Sequence, residues 1–470
     1  MTTTSDDHLG QPPPTAIPDA GPPDVRKPRS RPRSFQPLLL RLHFYAGVFV
    51  APFILIAAIT GALYALAPTL ERLVYQDILT VDPGERALPL NSQAAAASAA
   101  APGLTPAGMR PPASSTDSTR VYFSDTTLPE DTQRAVFVDP YTGQTLGSEN
   151  VWFGYLPLST WLDGLHRHLQ LGEPGRIYSE LAASWLWVIA LGGLYLWVAK
   201  LRKDRRRRRP GRLLAVDRGT AGRARTLSWH GATGVWILLA LLFLSATGIT
   251  WSTYAGAHVS DIRAQFNWQR PGLNTTVVGD ARSPVNLEDV NLDEVVAVAG
   301  RSGVHAPLDI AFPTEPGEAI GVTETDKAFR ATTNAVAINP DTLVPSSELD
   351  FRRDYSLVAK LADWGIRAHM GVLFGLLNQL LLLAVALALI TVIIRGYRMW
   401  WQRRPTRGTD WMLGRPPLRG GIRHLSPLTV IVVAAGAIAI GWFLPLLGLS
   451  LLAFLLVDTG VAAAKAWRAP

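Results

Sequence analysis

Residues 38–67 read LLLRLHFYAGVFVAPFILIAAITGALYALA, thirty positions in which Arg41 is the only permanently charged side chain. A bilayer core of ~30 Å is crossed by about 20 helical residues, so this stretch predicts a transmembrane helix with turns to spare. Working outward, apolar runs recur over 181–200, 227–255, 369–396 and 427–464, the last broken near Pro445 and read as two helices. The fold class predicted is a membrane all-α bundle of about six transmembrane helices. The remaining segments are a disordered cytoplasmic tail (1–35), transmembrane helix 1 (36–68), two long polar segments (69–180 and 256–368) and two basic loops (201–226 and 397–426).

Charge orients this arrangement. Twelve Lys/Arg fall between Lys200 and Arg225, eight between Arg395 and Arg423, and six precede His43. Each group abuts an apolar run, as the positive-inside rule expects of cytoplasmic loops. The polar segments together carry 17 Lys/Arg against 29 Asp/Glu and are placed outside, which leaves both termini cytoplasmic. The net charge of +8 follows from these loops, and no nucleic-acid motif accompanies it. Only 17% of residues are charged and 48% are hydrophobic, against about 25% charged in a soluble protein. The absence of cysteine excludes iron–sulfur clusters and covalently attached haem.

Each polar segment reads as a small α+β unit. In the first, 91–101 predicts a helix, and 121–123 and 135–138 predict strands, the second turning at Asp139-Pro140. In the second, 287–299 predicts a helix and 308–312, 319–323 and 335–338 predict strands, the last turning at Asn339-Pro340.

That parallel extends to the spans. His43, Gly47, Thr60 and Gly61 recur 187 residues on as His230, Gly234, Thr247 and Gly248, while His166 and His369 each stand six residues before a glycine. The chain reads as two copies of span, outer unit, histidine and span, followed by a helical pair.

Nine histidines are present. His8, His258, His305 and His424 lie outside the repeat and read as surface residues, whereas His43, His230, His166 and His369 form one imidazole pair per membrane face. Two neutral imidazoles on a haem iron leave no open position, which suits electron transfer. His168 is a rival to His166. Gly47 and Gly234 are read either as clearance for a flat macrocycle or as helix-packing glycines, and Thr60 and Thr247 as bonded back to their own helices. Trp185, Trp187, Trp197, Trp400 and Trp401 are expected in interfacial belts.

The runs RLHFYAGVFVAP, TGALYAL, VDPYTG, LHRHLQLGEPGR, AASWLWVIALGGLYLW and WFLPLLGLSLLAFLLVD resemble the PepSY-associated transmembrane helix family over residues 36–464. The resemblance implies an iron-regulated bacterial inner-membrane protein with two extracytoplasmic PepSY-like domains. It further implies kinship with ferric-siderophore reductases holding two b-type haems, here on His43, His230, His166 and His369. Expected partners are membrane lipid, an external ferric-siderophore-like acceptor, and a separate cytoplasmic reductase or quinol as donor. Two other classes stand beside this oxidoreductase: a non-catalytic membrane protein binding a peptide, protease or assembly partner outside the cell, and a transporter.

Overall fold

The computed structural model describes residues 35–207, 212–277, 289–404, 417 and 425–467. Residues 1–34 of the tail expected over 1–35, His8, His424 and the start of the helix expected at 287 lie outside these residues.

The first predicted span is two helices, α1 (Gln36–Phe49) and α2 (Ala51–Tyr64), bent by 57° at Val50. Pro52 sits in the first turn of α2, where its missing N–H is tolerated but a straight helix through it is not. Short helices α3 (Ala67–Val74) and α4 (Gln76–Leu79) lead to α5 (Leu90–Ala100), strands β1 (Thr105–Arg110), β2 (Thr119–Ser124), β3 (Thr132–Val138) and β4 (Thr145–Trp152), and helix α6 (Pro157–His168). The long α7 (Glu173–Arg206) closes the first half.

The second half repeats this order. Helices α8 (Gly222–Trp236) and α9 (Leu238–Thr250) are bent by 59° at Ile237, 187 residues beyond Val50. No proline lies at this break, so the bend belongs to the repeated architecture and Pro52 reinforces one copy of it. Helix α10 (Tyr254–Gln265), α11 (Leu292–Arg301), β5 (Leu308–Ala311), β6 (Ile320–Glu324), β7 (Ala335–Ile338), β8 (Pro345–Leu349), α12 (Phe351–Asp354), α13 (Leu357–His369) and α14 (Gly375–Trp401) follow. Two apolar helices end the chain, α15 (Pro427–Phe443) and α16 (Pro445–Trp467), and the backbones of Gly441 and Gly448 touch across their junction.

Among the described residues, α7, α14 and Pro445–Ala464 are each long and apolar enough to cross a bilayer, and counting each bent pair as one span raises the number to five. The 17 residues of α15 extend about 25 Å, short of a ~30 Å core. The molecule is thus a helical membrane protein with a separate antiparallel sheet region.

That sheet departs from the two separate units expected. The eight strands form one antiparallel sheet in the order β4-β3-β2-β1-β5-β6-β7-β8, joined at its centre where Gly108 pairs Ala311 and Met109 pairs Ile310. A Cβ on Gly108 would lie 2.5 Å from the Ile310 carbonyl oxygen, so the join requires a residue without a side chain. Beside it Arg110 donates to both carboxylate oxygens of Asp309, at 2.7 and 2.6 Å, a bidentate geometry that fixes register as well as charge. Helices α5 and α11 share one core with the sheet, including Ala97, Val121, Phe123, Val295, Ile310 and Ile320. Asn91 of α5 ties to α11 by donating to the Val290 carbonyl (2.8 Å) and accepting from the Leu292 amide (3.0 Å).

Candidate haem centres

Two cavities lie along the helix bundle. The one far from the sheet has a volume of about 350 Å³ and is lined by His43 of α1, His230 of α8, and small or apolar residues of α7 and α14. The one nearer the sheet, about 180 Å³, is lined by His166 of α6 and His369 of α13. Ile54, Leu186 and Leu389 line both, so one aliphatic layer separates the two chambers.

The repeat brings the four histidines together in pairs. Ring centroids are 6.3 Å apart for His43–His230 and again 6.3 Å for His166–His369. An imidazole nitrogen binds such a metal at about 2.0–2.1 Å and lies about 1.2 Å from its ring centre, so two imidazoles across one iron stand with centroids about 6.4 Å apart. The spacing of both pairs would therefore suit His43 with His230, and His166 with His369, each holding one iron between them. His168 lies outside the sheet-proximal cavity, and it is His166 that shares that cavity with His369.

Every one of these imidazoles is anchored through Nδ1. That of His43 meets the Ile189 carbonyl at 3.1 Å, and that of His230 the Val392 carbonyl at 2.9 Å. A carbonyl only accepts, so Nδ1 carries the proton. In the other pair, Nδ1 of His166 meets Thr60 Oγ1 at 3.1 Å and Nδ1 of His369 meets Thr247 Oγ1 at 2.5 Å. Each hydroxyl lies within hydrogen-bonding reach of a carbonyl one turn back, Ile56 at 2.9 Å and Phe243 at 2.8 Å. A hydroxyl has one proton; donated to its own helix, it leaves the oxygen to accept from Nδ1–H. All four rings then present a bare Nε2, the tautomer that ligates a metal while its second nitrogen is held.

Glycines make room for this. A Cβ on Gly193 would stand 3.0 Å from His43 Cε1, and one on Gly396 3.7 Å from His230 Cε1. Gly193 and Gly396 lie four residues beyond the two accepting carbonyls and, like His166 and His369, are 203 residues apart. Sequence reading missed them because they lie among other small and apolar residues; the constant 203-residue offset was the signal that could have found them. Gly47 and Gly234 line the larger cavity with nothing within 4 Å of where a Cβ would lie, which leaves open space for a flat ring. Among the described residues no group of three or more His, Asp or Glu is placed to hold a metal ion. Two imidazoles are too few for a closed protein-only site but complete an iron already held in one plane by a macrocycle.

Local structure fixes these positions. Helix α6 ends one turn past His166 with Leu169 and Gln170 both at positive φ, turning the chain back into α7. A Cβ on Gly175 would lie 1.8 Å from the His168 carbonyl oxygen, so glycine lets α7 pack directly on the end of α6. Glu180, buried in α7, accepts from the Tyr254 and Ala255 amides, both at 2.9 Å, at the start of α10. Arg41 pairs with Asp458 and joins α1 to α16. These ionisable groups are occupied in holding helices together. Above the bundle, burial raises the Asp163 carboxyl above the usual carboxylate range, with Arg167 opposing the shift.

Two further expectations need revision. Trp185 and Trp197 are not in an interfacial belt: both are buried, donating to Ser450 Oγ (2.9 Å) and the Leu213 carbonyl (3.1 Å). Thr60 and Thr247 are bonded back to their helices as expected, yet also hold histidines. His258 is satisfied by the Phe443 carbonyl at 3.0 Å.

No curated protein matches the chain. The family model of the PepSY-associated TM region matches residues 40–403, a range that includes all four paired histidines and all eight strands, and the chain belongs to that family.

Proposed function

We propose that this protein is a transmembrane electron-transfer protein holding two b-type haems, one on His43 and His230 and one on His166 and His369. The observation that supports it is the fourfold Nδ1 anchoring of paired imidazoles at a spacing suited to one iron each. When bound, the haems supply one-electron couples. The chain's own residues fix the ligand tautomers, surround each histidine pair with a mostly apolar lining and set the two chambers one side-chain layer apart at Ile54, Leu186 and Leu389. Protein-imposed ligation and low polarity are the levers by which a haem potential is tuned.

The placement proposed is the bacterial cytoplasmic membrane, with the basic loops and both termini inside and the sheet outside. The donor is then a cytoplasmic reductase or a quinol, and the acceptor is external iron(III), as in a ferric siderophore. Two extracytoplasmic PepSY-like repeats joined into one sheet would stand over the exit chamber.

Purified protein in mild detergent from haem-replete cells should be red, with a Soret band that sharpens on dithionite. His43→Ala should remove about half the haem. A colourless preparation would refute this function and leave a membrane protein whose sheet region binds an external partner.

A further inference from the structure

A third cavity, about 390 Å³, lies between the sheet region and the bundle, and Tyr64, Asp163, Arg167 and Trp251 line both it and the sheet-proximal histidine chamber. Half of the residues that line it alone are aromatic: Trp152, Phe153 and Tyr155, from the end of β4 and the turn after it. Phe153 and Trp251 are exposed, and Trp152 and Tyr155 are half-buried. Phe153 is 62% exposed and held at φ 48°, with Gly154 following at 78°, a turn that costs about 1–3 kcal/mol for a bulky residue unless its surroundings hold it. Arg120 reaches the Gly154 carbonyl from behind.

The other half of the repeat treats the same place differently. After β8 the chain forms α12, and Phe351 and Tyr355 are buried in a cluster that Trp364 packs against. The aromatic side chains there fill a core; those after β4 line a space. The polar groups in that space are few and directional. Arg167 and Asp163 form an i,i+4 ion pair at 3.5 Å, the Arg167 guanidinium lies 5.3 Å from the centre of the Trp152 ring, and the Tyr155 hydroxyl donates to Asp326 at 3.3 Å. Tyr64 lies nearly parallel to His166, at 13° and 6.1 Å between ring centres, and is one of the side chains between this cavity and the histidine pair.

We infer that this cavity binds a flat, oxygen-bearing aromatic molecule beside the His166–His369 pair. Aromatic walls favour a π-face by offset or edge-on contact, a few charged groups at one side select ring oxygens, and the volume lies in the range of small-molecule sites. The inference deepens the proposed function by giving the chemistry of the molecule met at that end of the bundle. The same chemistry has two sources, an aryl-oxygen compound from the aqueous phase or a quinone from the lipid.

Isothermal titration of the full detergent-purified chain tests it with three probes: 2,3-dihydroxybenzoate for the aqueous source, 1,4-naphthoquinone for the lipid source, and cyclohexanecarboxylate as a non-aromatic control. At least one aromatic probe should bind and the cyclohexyl control should not. Trp152→Leu should weaken binding at least fivefold, while Trp442→Leu, on α15, should not change it. Phe153→Leu, at an exposed turn, gives the same test where a tryptophan variant fails to fold. Equal binding of the cyclohexyl control, no binding of either aromatic probe, or indifference to the cavity variants would overturn the inference. Soret absorbance of the same samples keeps the two readings apart. A red protein that binds neither aromatic probe loses only this site, and a colourless protein that binds one loses only the haem.

Discussion

Thr247→Val isolates the tautomer argument at a single atom. The substitution preserves side-chain shape and removes the oxygen that accepts from His369 Nδ1 at 2.5 Å. A buried donor left without a partner costs about 1–3 kcal/mol. Loss of the group that orients a ligating histidine lowers metal affinity about 10–100-fold, equivalent to about 1.4–2.7 kcal/mol. The two ranges overlap, so a 10- to 100-fold weaker sheet-proximal site is expected. The ring can escape the penalty by moving its proton to Nε2, but that tautomer no longer ligates, so either response lowers occupancy. A His43→Ala background leaves the sheet-proximal pair as the site titrated. Haem titration of that apoprotein, followed at the Soret band, should show the weakening for Thr247→Val and near-parental affinity for Thr247→Ser. Parental affinity in the valine variant, with helix content unchanged by circular dichroism, would refute the proposed role of the hydroxyl.

Two further perturbations read other parts of the structure. Gly193→Ala adds a Cβ 3.0 Å from His43 Cε1, whereas Gly396→Ala adds one at an ordinary 3.7 Å from His230. The first should weaken haem retention at the His43–His230 site and shift its midpoint potential while raising helix propensity by about 1 kcal/mol, and the second should leave the spectrum unchanged; equal spectra for both would remove His43 from ligation. Gly108→Ala places a Cβ 2.5 Å from the Ile310 carbonyl and should destabilise the sheet by about 1–3 kcal/mol, as overpacking does, which thermal unfolding followed at the sheet's circular-dichroism signal would register as a lower midpoint.

Much of the architecture is legible in the residues because membrane insertion and duplication leave one-dimensional traces. Apolar length marks the spans, lysine and arginine mark the loops, and the fixed offset between His43 and His230 marks the repeat. The predicted strands at 121–123, 135–138, 308–312, 319–323 and 335–338 fall within or overlap β2, β3, β5, β6 and β7, whose inward residues form the core. β1, β4 and β8 were not read from sequence, because TPAGMR, TLGSENVW and PSSEL lack the apolar alternation that marks a strand.

What the sequence determined by itself is the inventory: a helical membrane chain, internally repeated, with two pairs of histidines in equivalent register. Hydrophobic length and repeat spacing are local or periodic properties, so they survive without coordinates. Only the tertiary structure decided that the two polar segments share one sheet through Gly108, that both first spans bend, and that the Ile189 and Val392 carbonyls and the Thr60 and Thr247 hydroxyls fix the four rings. The sheet join and the ring anchors depend on contacts between residues more than a hundred positions apart, and two of the four anchors are backbone carbonyls, which no residue identity marks.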